Sequence, residues 1–189
     1  MKAISTACLL CLLCACVSSQ PDHFYVLSAQ PEGTSEARTS AVTQATLKVS
    51  LPSLVDRSEI VLNTSVDGVI ILDHERWAAP LTDLITLTLG QDIERRRSDL
   101  LIAARSVNHS DAIAIRVTVD IVQVTLRRDA RASIETQWRI LDSRSGKEVV
   151  GGEVFSAPLG RDASAVAKAL SATLSLLADR LAAQMPKMQ

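Results

Sequence analysis

The sequence predicts an α+β fold: a single antiparallel or mixed sheet built from two meanders, with two amphipathic helices packed on it. Strict apolar alternation, the period of a half-buried strand, occurs on both sides of the chain's midpoint. Each alternating region is followed by a stretch whose apolar residues return every three or four positions, the period of a helix. Seven Gly and six Pro in 189 residues leave little room for disorder, and 47% apolar against 22% charged residues is the make-up of one ordinary folded domain.

Phe24-Tyr25-Val26-Leu27 opens the domain as a short β-like segment, and Gln30 to Thr43 is a Ser-, Thr- and Glu-rich loop with no apolar period. Leu47, Val49 and Leu51 then face one way and Thr46, Lys48 and Ser50 the other, in a strand that Pro52 ends. Ile60-Val61-Leu62 and Val69-Ile70-Ile71-Leu72 flank an Asp67-Gly68 turn signal, which a hairpin fits most simply. Between Pro80 and Arg97, Leu81, Leu84, Ile85, Thr88, Leu89, Asp92 and Ile93 share a helical stripe. Pro80 suits the start of that helix, where its missing N–H leaves no hydrogen bond unmade.

In the second half, Ile113, Ile115, Val117, Val119 and Ile121 alternate before the apolar phase slips to Val122, Val124 and Leu126, which predicts a β-bulge near Ile121-Val122. Ala132, Ile134, Thr136, Trp138 and Ile140 share one face of the next strand, and a Ser143-Arg144-Ser145-Gly146 turn leads into Val149 to Phe155. The last element is a helix from about Asp162 to Gln184, striped by Val166, Leu170, Leu174, Leu177 and Leu181, with Asp162 or Ser164 as N-cap. Trp138 alternates with core residues and is expected in the core, whereas Trp77 falls in a loop before Pro80 and is expected to cap the first helix.

The start of the chain is a different material. Lys2 supplies a positive charge and Ala7 to Ala15 form an apolar run too short to span a membrane, so residues 1–15 are expected to be a signal peptide. The run ends Leu13-Cys14-Ala15-Cys16, which resembles the bacterial lipobox and makes Cys16 the expected lipidation site, with an ordinary signal peptide or an uncleaved anchor as the alternatives. The covalent groups expected there are a diacylglycerol and an N-acyl chain of the palmitate kind. Cys8, Cys11 and Cys14 would leave with the signal, so the mature chain would carry one thiol and neither a disulfide nor a cysteine metal site. Residues 16–23 read as a lipidated tether of roughly 20–25 Å at about 3.3 Å per extended residue, and residues 24–189 as a single periplasmic domain. An Asp after the modified cysteine generally marks inner-membrane retention, and Val17 stands there instead, which places the protein on the periplasmic face of the outer membrane.

A formal net charge of −1 argues against a nucleic-acid partner, and two Trp, two Phe and one Tyr leave base stacking little to work with. His23, His74 and His109 do not stand at metal-ligand spacing, and no nucleophile elbow, P-loop or dinucleotide glycine pattern occurs. Neither a catalytic residue, a metal nor a cofactor is expected. Arg95-Arg96-Arg97 closes the first helix, where cations complement the negative end of its dipole. That triplet reads first as a solvated terminus and second as a contact for anionic lipid or an acidic partner, as does Arg127-Arg128.

Residues 47–61, Leu47-Lys48-Val49-Ser50-Leu51-Pro52-Ser53-Leu54-Val55-Asp56-Arg57-Ser58-Glu59-Ile60-Val61, and then Arg76-Trp77-Ala78-Ala79-Pro80-Leu81 resemble the PqiC (YmbA-like) family of ABC-type transport auxiliary lipoproteins. Tyr25-Val26-Leu27 stands for that family's first strand, Asp56-Arg57 for its second signal and Trp77-Ala78-Ala79-Pro80-Leu81 for its third, with Ala79 where the family carries Glu. The specific motifs fall within residues 24–90, and the second half matches in pattern. The resemblance implies a non-enzymatic docking subunit of an MCE-type lipid transport system, joining a tunnel from an inner-membrane permease and ATPase to the outer membrane, in a homo-oligomeric ring. The alternative is a lipid-carrying or outer-membrane assembly lipoprotein. Asp56, Arg57, Trp77, Pro80 and Leu81 are the candidate partner-interface or motif residues; Asp56 and Arg57 are also expected to pair and fix the loop after Pro52, and Trp77 and Leu81 to pack.

Overall fold

A computed structural model describes residues 20–30, 42–64, 67–103, 113–128 and 130–186. The expected signal peptide, Cys16 and the first half of the expected tether, the centre of the loop after Gln30, and the Asn108-His109-Ser110 segment lie outside these residues. The elements run β1 (His23–Tyr25), β2 (Thr43–Ser50), β3 (Glu59–Asn63), β4 (Val69–Trp77), α1 (Leu81–Arg96), β5 (Leu100–Ala103), β6 (Ile115–Arg127), β7 (Arg131–Asp142), β8 (Glu148–Pro158) and α2 (Ala163–Gln184).

The α+β class holds, and the single sheet is corrected to two: a three-stranded sheet in the order β1-β4-β3 and a five-stranded sheet in the order β5-β2-β6-β7-β8. The second meander forms as the alternation predicts. Ala132, Ile134, Thr136, Trp138 and Ile140 of β7 are all buried, and the bulge sits where the phase slips, because Ile121 pairs with Thr136 and Gln123 with Glu135, leaving Val122 without an opposite. That extra residue, 44% exposed, returns Val124 and Leu126 to the core.

The first meander does not form as expected. β3 and β4 make the hairpin, but β2 leaves it and lies between β5 and β6, parallel to both, with Leu47 opposite Val117 and Val49 opposite Val119. Alternation specifies which face of a strand is buried and is silent on which neighbour it pairs with. β5 has four residues, too few for a period to register, and it was not anticipated.

Both helices contact strands of the five-stranded sheet and each other. Val166, Leu170, Leu174, Leu177 and Leu181 of α2 are fully buried, as are Ile85, Leu89 and Ile93 of α1. Asp162 is the N-cap of α2, its side chain accepting from the Ala165 N–H at 2.9 Å, which holds the Asp162 carboxyl below its usual pKa. Pro80 stands one position ahead of the first helical residue, and its carbonyl accepts from the N–H groups of Asp83 and Leu84 at 3.0 and 3.1 Å.

Candidate functional site: a motif corner and a tether-side cleft

Asp56, Arg57, Trp77, Pro80 and Leu81 come together at one corner. The chain leaves β2 at Pro52, whose carbonyl accepts from Val55 N and Asp56 N at 3.1 and 3.2 Å. Asp56 then accepts at Oδ1 from Thr82 N at 3.2 Å, satisfying one of the amides that a helix leaves unpaired in its first turn. Arg57 turns to Glu59 instead, Nε to Oε2 at 2.9 Å, and Arg76 holds the other oxygen at 3.0 Å. The expected Asp56–Arg57 pairing is therefore replaced by two separate partnerships, one capping α1 and one within the β3 end of the corner. The Arg57 hydrogen bond, helped by the Glu59 backbone amide, holds the Glu59 carboxyl down to about 2.

Trp77 is not in a loop: it ends β4, its N–H donates to Ser58 O at 2.7 Å, and its side chain is 4% exposed. The next amide, Ala78 N, donates to Tyr25 O at 2.8 Å, so β1, β3, β4 and α1 are tied at this one point. Leu81 is buried beneath it and Pro80 is exposed. The corner joins the three-stranded sheet to α1.

Within the arginine triplet closing α1, Arg96 and Arg97 are part-buried and turned onto the protein, while Arg95 is exposed but also bonds inward. Arg95 Nη1 donates to Ala29 O at 2.7 Å. Arg96 Nη1 donates to Gln30 O and Asp92 O, its Nη2 to the hydroxyl of Ser175, and its Nε pairs with Asp179, so one guanidinium spans the N-terminal segment, α1 and α2. Arg97 grips Asp99 through two 2.8 Å bonds, which lowers the Asp99 pKa, and donates to Ala182 O, Met185 O and Pro186 O at the end of α2. Six backbone carbonyls, those of Ala29, Gln30, Asp92, Ala182, Met185 and Pro186, accept from these three guanidinium groups.

Asp92 lies fully buried among these groups. Its Oδ1 accepts from Gln30 N at 2.5 Å and faces Arg96 Nη1 at 3.4 Å, while Oδ2 has no hydrogen-bond partner. Burial pushes its carboxyl up to about 6, against the pull of the Gln30 amide and the Arg96 charge. Sequence reasoning placed Asp92 in the apolar stripe without weighing it. A lone carboxylate within a core stripe was the available signal.

On the three-stranded sheet, the residues that follow the expected tether are fastened to β4. Asp22 Oδ1 meets His74 Nδ1 at 3.1 Å and Asp22 Oδ2 meets Arg76 Nε at 2.9 Å, contacts that lower the Asp22 pKa, the His74 bond foremost. His23 pairs in register with Glu75, Nδ1 to Oε1 at 3.4 Å. Beside them is an open cleft of about 590 Å³ whose lining includes Gln20, Tyr25, Ile71, Asp73, Arg128 and Asp162. Hydrogen bonding to Glu75 pushes the Tyr25 phenol up to about 12. Among the described residues, no group of three or more His, Cys, Asp or Glu is disposed to hold a metal ion, and no helix is long and apolar enough to cross a membrane.

Comparison with known proteins follows the same boundaries. A family model described as "ABC-type transport auxiliary lipoprotein component" matches residues 25–182. No curated protein matches. Among solved structures, one described as an uncharacterized protein superposes with a TM-score of 0.72 at 16% identity, covering 88% of this chain and all of its own. Protein XCC0632 from Xanthomonas campestris superposes with a TM-score of 0.62 at 17% identity, covering 85% of this chain and 92% of its own. Both likenesses are of fold.

Proposed function

The chain belongs to the family of ABC-type transport auxiliary lipoprotein components, and from that premise we propose that it is the outer-membrane-anchored docking subunit of an MCE-type lipid transport system. The observation that carries this is the extent of the match: residues 25–182 take in both sheets and both helices, so the transport-auxiliary role belongs to the whole folded domain.

In this reading Cys16 carries a diacylglycerol and an N-acyl chain, which together hold the protein firmly where a single chain would bind only marginally. β1 opens at His23, seven residues after Cys16, so the domain stays within about 23 Å of the bilayer at ~3.3 Å per residue. The subunit works without chemistry of its own. Among the described residues, His23 and His74 are engaged with Glu75 and Asp22, and Asp22 and Glu59 with Arg76, as groups that hold a structure together are. Partners are an MCE-domain protein, reached through it an inner-membrane permease and ATPase, and further copies of the chain in a ring matching the partner's symmetry.

The alternative, a lipid carrier, would need room between sheet and helices. Between the five-stranded sheet and α2 the packing is close, with Ile115, Val117, Ile134, Leu170 and Leu174 each 0% exposed, which favours docking over carriage; an open cleft of about 460 Å³ does lie between α1 and β5, lined by Leu87, Gly90 and Ile102 among others. The test is affinity purification of the acylated protein from detergent-solubilised envelopes, beside Cys16→Ser, with proteins and lipids identified by mass spectrometry. Recovery of an MCE protein with a triacylated Cys16 peptide is expected. Recovery of lipid alone, or of an outer-membrane barrel, would replace the docking role by carriage or assembly.

A further inference from the structure

β4 has nine residues, but β1 pairs with only the last three, Glu75 to Trp77. On its other side β3 pairs with it through Asn63↔Val69. From Val69 to His74, then, no described strand covers the edge that β1 leaves free. Here Val69, Ile70 and Ile71 are 42%, 50% and 38% exposed, although the β3 residues opposite two of them, Val61 and Leu62, are buried. Successive strand residues point to opposite faces, so this arm is apolar on both faces and along an open edge, a combination that soluble surfaces avoid. Its turn end is held against β6, since Asn63 Oδ1 accepts from Leu126 N at 2.8 Å.

The direction of the arm follows from the register. β1 and β4 are parallel, with His23 opposite Glu75, so going back along either strand leads toward the same end of the sheet. From His23 back to Cys16 is seven residues, at most about 23 Å at ~3.3 Å per residue. From Glu75 back to Val69 is six residues of strand, about 20 Å. The arm thus reaches as far as the tether allows the domain to stand from the membrane. Leu126 also brings Arg127 and Arg128 to this end, both exposed, and Arg128 lines the cleft that holds Gln20 and Ile71.

We propose that the β3–β4 hairpin is a second membrane contact, its Val69-Ile70-Ile71 flank lying at headgroup depth in the bilayer that holds the acyl anchor, with Arg127 and Arg128 against anionic headgroups. This rests on the Cys16 anchor proposed above. Thr64 and Asp67 at the turn are polar and exposed, which keeps the flank along the surface rather than through it. Two attachments fix the orientation of the domain, where a tether alone would leave it free to swivel.

The test uses Ile70→Trp in the full acylated protein, with vesicles of phosphatidylcholine and phosphatidylglycerol whose acyl chains are brominated. Trp77 and Trp138 are 4% and 3% exposed and serve as the internal background. Val150→Trp, at a 66% exposed position on β8 paired with Arg139, reports the end of the sheet away from Arg127. The expected result is a blue shift and loss of most of the added emission for Ile70→Trp and neither for Val150→Trp, with Arg127→Glu/Arg128→Glu reducing the loss. An added Trp that stays solvent-like in protein that floats with the vesicles overturns the proposal, as does one shielded from aqueous quencher by self-association before vesicles are added. Cys16→Ser carrying Ile70→Trp is run in excess vesicles: if the wild-type chain neither gains acyl mass nor floats, the anchor is refuted, and quenching in this arm still supports the hairpin contact while its absence overturns it.

Discussion

Arg96 on α1 donates through Nη2 to both the hydroxyl of Ser175 on α2, at 2.7 Å, and its carbonyl, at 3.1 Å. The helix pair is therefore held by a polar clasp in addition to its apolar stripes, and because the same guanidinium reaches Gln30 O at 2.8 Å, the clasp includes the segment leading out of β1.

Arg96→Ala should destabilise the fold by on the order of 2–4 kcal/mol, since it strips several acceptors at once and removes the cation beside buried Asp92. Arg96→Lys should recover little of this, because an ammonium cannot span the same acceptors as a planar fork. Urea denaturation of the two variants beside wild type measures both.

Asp92 gives stability an unusual pH dependence. Its folded pKa, about 6, lies above the ordinary aspartate value of 3.8, so its contribution is full below the unfolded value and is lost as pH rises through about 6. Wild type should gain about 1–1.5 kcal/mol on going from pH 7 to pH 5 relative to Asp92→Asn, which cannot ionise. Asp22, Asp99 and Asp162, whose pKa values are lowered, act only in more acid solution and leave this window clear. Equal pH slopes for the two proteins in chemical denaturation would remove Asp92 as the cause.

Gly151 sits opposite Trp138 on the neighbouring strand, and a Cβ there would come within 2.6 Å of the indole ring. Gly151→Ala should cost about 1–3 kcal/mol through overpacking and push the indole off its 2.7 Å bond to Gln184 Oε1. In a double-mutant cycle with Trp138→Leu the penalty of the alanine should shrink, and thermal melts of the four proteins read the coupling.

Two caps should differ in weight. Asp162→Ala removes the N-cap of the 22-residue α2 and should cost about 1 kcal/mol. Asp56→Ala removes a 3.2 Å bond to α1 made from outside the helix, and should cost less than Asp162→Ala while loosening the corner enough to raise amide exchange at Thr82. Hydrogen exchange distinguishes this local effect from a global one.

Much of the architecture was legible because it depends on short-range periodicity. The bulge at Val122, the cap at Asp162 and the buried face of β7 each follow from residues a few positions apart. The pairing of β2 did not, since Leu47, Val49 and their neighbours fit beside any strand with a matching apolar face, and only the closed structure selects β6. The arginine triplet misled for a related reason: apart from nearby Asp92 and Asp99, its acceptors, from Ala29 to Pro186, lie far off in sequence, and most of those are backbone carbonyls, which carry no residue-type signal. The motif corner was recognisable by resemblance, but its wiring was not, because Asp56 has a nearer apparent partner in Arg57 than the Thr82 amide it uses.

The central position of β2 also decides the order in which the sheet can close. Ser50 bonds to Asp120, 70 residues later, so β2 leaves the ribosome long before β6 exists to receive it. During that interval the strand has two open edges and an uncovered apolar face, and closing so long a loop is slow compared with forming either helix. Closing that loop, rather than forming the later β6–β7–β8 meander, is thus the entropically costly step in assembling the five-stranded sheet.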